Sequence, residues 1–194
     1  MPRPPGPRAG DGVLRIVSCA AARPVKRLHR IAEALAYADV PVRWTHIGDG
    51  PELPRLRALA ERLPAHVAVD LAGAVAPPEV PRRYQAHPYD LFLNVSESEG
   101  VPVSIMEAMA AGIPALATDV GGTRELVTPD AGRLVPADVS PAALWRAISA
   151  FSREDAAVID AMRAASAEAI RCRYDIRANA GRVAQALLAL PVAA

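Results

Sequence analysis

The sequence predicts an α/β fold, a mostly parallel Rossmann-like sheet with helices on both faces, from three observations. Short apolar runs alternate with amphipathic stretches of helical period along the whole chain. The turns between them are short and rich in Gly, Pro and Asp. One run, Leu91-Phe92-Leu93-Asn94-Val95, is apolar without alternation, as a strand buried on both faces must be.

In chain order, 13–18 reads as the first strand and Lys26 to Ala38 as a helix with Leu28, Ile31, Ala32 and Leu35 on one face. Strand 41–47 ends at Gly48-Asp49-Gly50-Pro51, and helix 52–63 follows. Strand 67–71 ends at Gly73, helix 78–86 is short, and strand 91–95 leads into helix 102–111, stopped by Gly112. Strand 114–118, a short helix at 123–127 and a last strand at 132–135 complete the alternation. Helices 140–151, 153–170 and 175–190 close the chain, with Ser140 and Asp175 placed as N-caps and Pro141 suited to a first helical turn. Crossovers in such a sheet are right-handed. Ligands bind beyond the carboxyl ends of its strands, which directs attention to the loops at 19–26, 48–51, 73–77, 96–102 and 118–124.

Composition narrows the function. The chain has 194 residues, 52% hydrophobic and 22% charged, enough for one domain at 13–190 with a full core. Net charge is +1 and aromatics are 4%, which speaks against nucleic acid as a partner and leaves at most peripheral membrane contact. No apolar run reaches the roughly 20 residues that span a bilayer. The Pro-, Gly- and Arg-rich residues 1–12 lack the apolar stretch of a signal peptide and read as a disordered tail of a cytoplasmic protein. Cys19 and Cys172 read as reduced, buried thiols. His29, His46, His66 and His87 show no metal spacing and no Asp-x-Asp run is present, so no metal is expected. Gly48-Asp49-Gly50 is a turn and not a dinucleotide fingerprint, so no cofactor is expected either. No nucleophile elbow or Cys–His signature occurs.

The chemistry-bearing stretch runs from Ser96 to Gly112. It follows the buried strand and opens a helix, whose unpaired N–H groups suit a phosphate. Gly100 permits close backbone approach, and Glu99 stands just before the helix. Glu107 lies among Val103, Ile105, Met106, Ala108 and Met109, so it needs donors or an open cleft. Spacing alone equally fits a structural carboxylate at Glu107 and a solvated loop charge at Glu99.

Glu99 and Glu107, with seven residues between them, followed by Ala-Met-Ala-Ala-Gly-Ile-Pro and by 118–127 with Gly121-Gly122, resemble the signature of group 1 (family four) retaining glycosyltransferases. His46 to Pro51 and Asp90 to Ser96 extend the resemblance to residues 13–188. The resemblance implies the C-terminal, donor-binding half of a GT-B architecture of the polysaccharide-biosynthesis type. Its partner would be a nucleoside-diphosphate sugar, and transfer of a hexose to a carbohydrate or lipid-linked acceptor would proceed with retention and without metal. It implies that Glu107 binds the ribose, Glu99 the donor sugar, and the N–H groups of Gly100, Val101, Val103 and Ser104 the sugar and distal phosphate. Lys26 would neutralise the pyrophosphate, while Gly48, the Gly73-Ala74-Val75 loop and Gly121-Gly122 would approach the ligand. Many relatives carry an arginine five residues before the lysine; here that position is Ala21, and Arg23 or Arg27 are the candidates to replace it. The resemblance also implies an N-terminal acceptor domain, on a longer or a separate chain. The alternatives are a non-catalytic nucleotide-sugar-binding module, a truncated enzyme, or a nucleotide-sugar epimerase. The apolar residues Val183, Ala184, Leu187 and Leu188 of the last helix would meet such a partner domain.

Overall fold

The computed structural model describes residues 11–175, 179–181, 185 and 188. It is a six-stranded parallel sheet of order β3-β2-β1-β4-β5-β6. The strands are β1 (Leu14–Cys19), β2 (Val42–Ile47), β3 (Val67–Gly73), β4 (Leu91–Asn94), β5 (Ala115–Thr118) and β6 (Gly132–Val135). The helices are α1 (His29–Leu35), α2 (Leu53–Ala60), α3 (Glu79–Ala86), α4 (Val103–Ala110), α5 (Thr123–Leu126), α6 (Pro141–Arg153) and α7 (Ala156–Arg173).

The two-residue period of the strands distributes side chains between two cores. Leu14, Ile16, Leu91, Leu93 and Leu116 face one way, against Ile31 and Leu35 of α1, Leu56 of α2 and Leu144 and Ile148 of α6. Val17, Phe92, Ala115 and Ala117 face the other, against Tyr84 of α3 and Ile105, Ala108 and Met109 of α4. Helix α7 joins the two layers: Ile159 and Met162 belong to the first core and Ile170 to the second. β4 and β5 are buried at every position, the reason their sequences show no alternation.

Ser140 caps α6 as its sequence position indicates, accepting the Ala143 N–H at 3.3 Å. Asp90 holds the start of β4 by accepting the Arg15 N–H at 2.8 Å, and Arg163 of α7 lies 3.7 Å from its other oxygen, both side chains being buried. On the first face Trp44 donates its indole N–H to Ser18 Oγ at 3.0 Å, and Ser18 sits 2.9 Å from His46 Nδ1. Burial holds the His46 pKa down at about 4, so the ring is neutral. His66 likewise contacts the Ala38 carbonyl at 2.8 Å, and none of the described residues forms a cluster able to hold a metal ion.

Three expectations need correction. The helix expected over 26–38 is interrupted: Pro24–Lys26 form a 3-10 turn, Arg27 is left-handed, and α1 begins at His29. Pro24 presets the turn, and the chain must reverse before the apolar face of α1 can meet the sheet. Cys172 is exposed on the outer face of α7, beside Glu168, while Cys19 is half-buried; both are free thiols. Of the tail, Asp11 accepts the Val13 N–H and pairs with Arg15, so its end is anchored to β1. Residues 1–10 and most of the helix expected at 175–190, including Val183, Ala184 and Leu187, lie outside the described residues; Leu188 is exposed. No helix among the described residues is long and apolar enough to cross a membrane.

Gly132 shows how closely the strands and loops pack. A Cβ there would lie 2.2 Å from the Ala115 carbonyl oxygen and 2.8 Å from a Val127 methyl. Gly132→Ala should therefore cost about 1–3 kcal/mol of stability, seen as a lower midpoint in urea unfolding with unchanged slope.

Candidate functional site

Sheet order reverses at β1, so the connections after β1 and β4 leave toward opposite faces and a crevice opens between them. An open cleft of about 500 Å³ occupies this place. It is lined by the end of β1 (Cys19, Ala20, Ala21), the turn after β2 (Ile47, Gly48, Asp49), the loop after β3 (Ala74, Val75), and by Lys26, Val80, Glu99, Pro102, Val103, Ser104 and Glu107. Of the sequence-predicted residues, Lys26, Gly48, Val75, Glu99, Val103, Ser104 and Glu107 thus come together. Gly100, Val101, Gly73, Gly121 and Gly122 do not line the cleft.

The glycines outside it have a backbone reason. Gly121 has φ +51°, and a Cβ there would stand 1.8 Å from the Glu99 carbonyl oxygen; one at Gly122 would meet the Gly100 oxygen at 2.7 Å. The Gly122 N–H donates to that same Gly100 carbonyl at 2.8 Å. The pair therefore lets the loop after β5 press on the backbone that carries Glu99. Gly73, at φ +70°, accepts the Gly48 N–H at 2.8 Å and ties the loop after β3 to the turn after β2. Gly48 in turn packs against the Ala20 carbonyl, where a Cβ would come within 1.9 Å.

The two glutamates have opposite environments. Glu99 leaves 8% of its side chain exposed, and a single oxygen, Oε1, accepts from Lys26 Nζ at 2.7 Å, Ser96 Oγ at 2.6 Å and Asn94 Nδ2 at 3.0 Å. Burial raises its pKa, but the bonds from Lys26, Ser96 and Asn94 outweigh that and hold it below the usual carboxylate value. The Glu107 carboxylate, on α4, makes no hydrogen bond or ion pair with the described residues, and burial alone pushes its pKa up. A carboxylate placed so is short of donors, and hydroxyl groups of a ligand supply them. On the same helix, the N-cap position Pro102 offers α4 no side-chain cap, and Val103 and Ser104 of its uncapped first turn line the cleft.

Asn94 and Ser96 were not assigned roles from sequence. The available signal was polarity: Asn94 interrupts an apolar strand, and buried polar side chains are hydrogen-bonded to something. Asn94 also accepts the Ser96 N–H at 3.0 Å, which closes the turn under Glu99. Ala21, the position at which the family resemblance implies an arginine, lines the cleft. Arg27 is committed elsewhere: its Nε donates to the Val95 carbonyl at 3.0 Å and its Nη2 to the Ser96 carbonyl at 2.9 Å. Arg23 is exposed and does not line the cleft.

Residues 7–171 match the family model of group 1 glycosyl transferases. The chain is 37% identical over 152 residues to WcaL of Escherichia coli (strain K12), a glycosyltransferase assigned to colanic acid biosynthesis, covering 73% of this chain and 37% of that protein. It is 34% identical over 100 residues to a GDP-mannose-dependent alpha-mannosyltransferase of Mycobacterium tuberculosis, covering 51% and 24%. Among solved structures, Anabaena Alr3699/HepE in complex with UDP and glucose superposes with a TM-score of 0.75 at 26% identity, over 92% of this chain and 49% of that one. Sucrose-phosphate synthase from Thermosynechococcus elongatus shares the fold, with a TM-score of 0.77 at 22% identity. The chain spans about two fifths of the length of WcaL and half that of the Anabaena protein. With six parallel strands in Rossmann order, a cleft at their carboxyl ends and a family match over most of its length, this chain belongs to the group 1 glycosyltransferases.

Proposed function

We propose that the cleft binds a nucleoside-diphosphate sugar and that the chain serves as the donor-binding part of a retaining hexosyltransferase of polysaccharide biosynthesis. The observation that carries this reading is the meeting, in one cleft, of a cation, an uncapped helix start and a carboxylate without partners. A nucleoside-diphosphate sugar has the complementary parts: a diphosphate for Lys26 and the α4 N–H groups, and ribose hydroxyls for Glu107. The apolar inner wall of Cys19, Ile47, Val75 and Val80 suits a heterocycle.

In this reading the charge that develops on the leaving diphosphate is met by Lys26 and by the Val103 and Ser104 N–H dipoles, which are fixed before reaction. Glu99, already ionised and held by three donors, orients the sugar hydroxyls through its second oxygen. Retention would follow from attack of the acceptor on the face that the diphosphate leaves. The match to UDP-bound Anabaena HepE and to polysaccharide-biosynthesis relatives supports the donor class and the pathway type. An acceptor-binding domain, on the same or another chain, would complete the enzyme, as would a cytoplasmic location where donors of this kind are made.

Titration calorimetry with UDP, GDP and ADP should show binding of at least one, and binding of none by folded protein would overturn the donor reading. Glu107→Gln should weaken that binding about tenfold or more, from charge-assisted bonds worth ~1.5–3 kcal/mol. Lys26→Ala should weaken the diphosphate comparably and leave a nucleoside unaffected. Transfer assays with and without an acceptor-domain chain separate enzyme from binding module.

The two glutamates should also differ in thermal melts. Glu99 has a lowered pKa, so its contribution is complete above the ordinary carboxylate range and is lost as pH falls through the folded value. Glu107 has a raised pKa, so its ionised form costs stability at neutral pH, and that cost disappears in acid. At pH 7, Glu99→Gln should lower the melting temperature and Glu107→Gln should leave it equal or higher; the reverse order would contradict both assignments.

A further inference from the structure

Arg27 is the single non-glycine residue with positive φ among the described residues, at φ 45° and ψ 37°. A glycine adopts this conformation at no steric cost, whereas an arginine carries a Cβ penalty. A purely conformational need would thus be served better by glycine, and what the position gains from arginine is its side chain. Two nitrogens of that side chain are engaged in one task. Its guanidinium reaches the Val95 and Ser96 carbonyls, the first two beyond the end of β4, where no ladder partner remains for them.

The contacts around it form one junction. The Ser96 carbonyl also accepts the Thr118 hydroxyl at 2.6 Å, and the Glu97 N–H donates to the Val25 carbonyl at 2.8 Å. Lys26 stands between Val25 and Arg27, on a 3-10 turn outside both β1 and α1, and Glu99 stands three residues beyond Ser96. The backbone distance between Lys26 and Glu99 is thus set by the bonds that Val25 and Arg27 make across the sheet boundary. Half-burial of the guanidinium strengthens both charge-assisted bonds.

We infer that Arg27 is a positioning residue: its backbone strain is held in place by a forked bond that bolts the Lys26 turn to the Glu99 loop and so sets the spacing of the two groups that meet the donor. It is not the substitute for the arginine missing at Ala21, since it does not line the cleft and its Nε and Nη2 donate to protein carbonyls. This inference rests on the donor-site reading for what Lys26 and Glu99 do. The bolt itself does not depend on it.

The test combines hydrogen exchange of the ligand-free protein with calorimetry, on Arg27→Gly. This variant relieves the left-handed strain while removing the fork, so its melting temperature should stay close to that of the wild type. The Glu97 amide should exchange faster, α6 amides should be unchanged, and UDP or GDP should bind about five- to tenfold more weakly. Arg27→Lys, which reaches one carbonyl at a time, should fall between and serves if the glycine variant fails to fold. Unchanged exchange at Glu97 would overturn the inference. So would weaker nucleotide binding with unchanged exchange, since that is the signature of a direct phosphate ligand. If the wild type binds neither UDP nor GDP, the donor reading fails while exchange still decides the bolt.

Discussion

β4 ends at Asn94 and β1 at Cys19, yet the residues that meet across the cleft lie beyond both ends, where a parallel sheet offers no further ladder bonds. Everything at the site depends on how these ladder-less segments are held. They are held by crossing hydrogen bonds: Arg27 to Val95 and Ser96, Glu97 to Val25, Thr118 to Ser96, and Lys26 to Glu99. Gly121 and Gly122 add close backbone contact from the third side. The loop that carries Glu99 is thereby fixed by β1, β5 and its own strand at once. On the proposed donor-site reading such rigidity would serve the leaving diphosphate, because fixed dipoles need no reorganisation at the moment of reaction.

The same constraint explains why two glutamates eight positions apart behave oppositely. Glu99 lies inside the junction and collects three donors on one oxygen, which more than offsets its desolvation. Glu107 lies on α4, where its neighbours Ile105, Ala108 and Met109 belong to the core and supply no donor. The protein satisfies one carboxylate itself and leaves the other short of hydrogen bonds, in a cleft open to ligand. Of the two, the unsatisfied group is the better marker of a binding site, since an acid that costs stability without a ligand has its compensation in the ligand.

Much of this was legible in the sequence. The order of strands and helices, the buried run at Leu91 to Val95 and the Ser140 cap all follow from local period and local chemistry, and the structure has them within a few residues. The oddity of Glu107 was legible too, because an acid in an apolar helical face demands an explanation wherever it occurs. What was not legible are relations between distant segments. Arg27 reads as one more surface cation in an Arg-rich chain until Val95 and Ser96 are placed beside it. Gly121 and Gly122 read as ligand-facing until the Glu99 and Gly100 carbonyls are found against them. The break between Lys26 and His29 escapes a periodicity argument because Leu28, Ile31 and Leu35 keep helical spacing across it. Cys172 escapes because its exposure depends on which face of α7 the two cores take.

A crystal structure of the chain with UDP tests the central claim most directly. The diphosphate should lie at the start of α4, within hydrogen-bonding distance of Lys26 Nζ and the Val103 and Ser104 N–H groups, with the ribose hydroxyls on Glu107 and the base against Val75. Density for the nucleotide elsewhere on the surface, or a ribose turned away from Glu107, would contradict it.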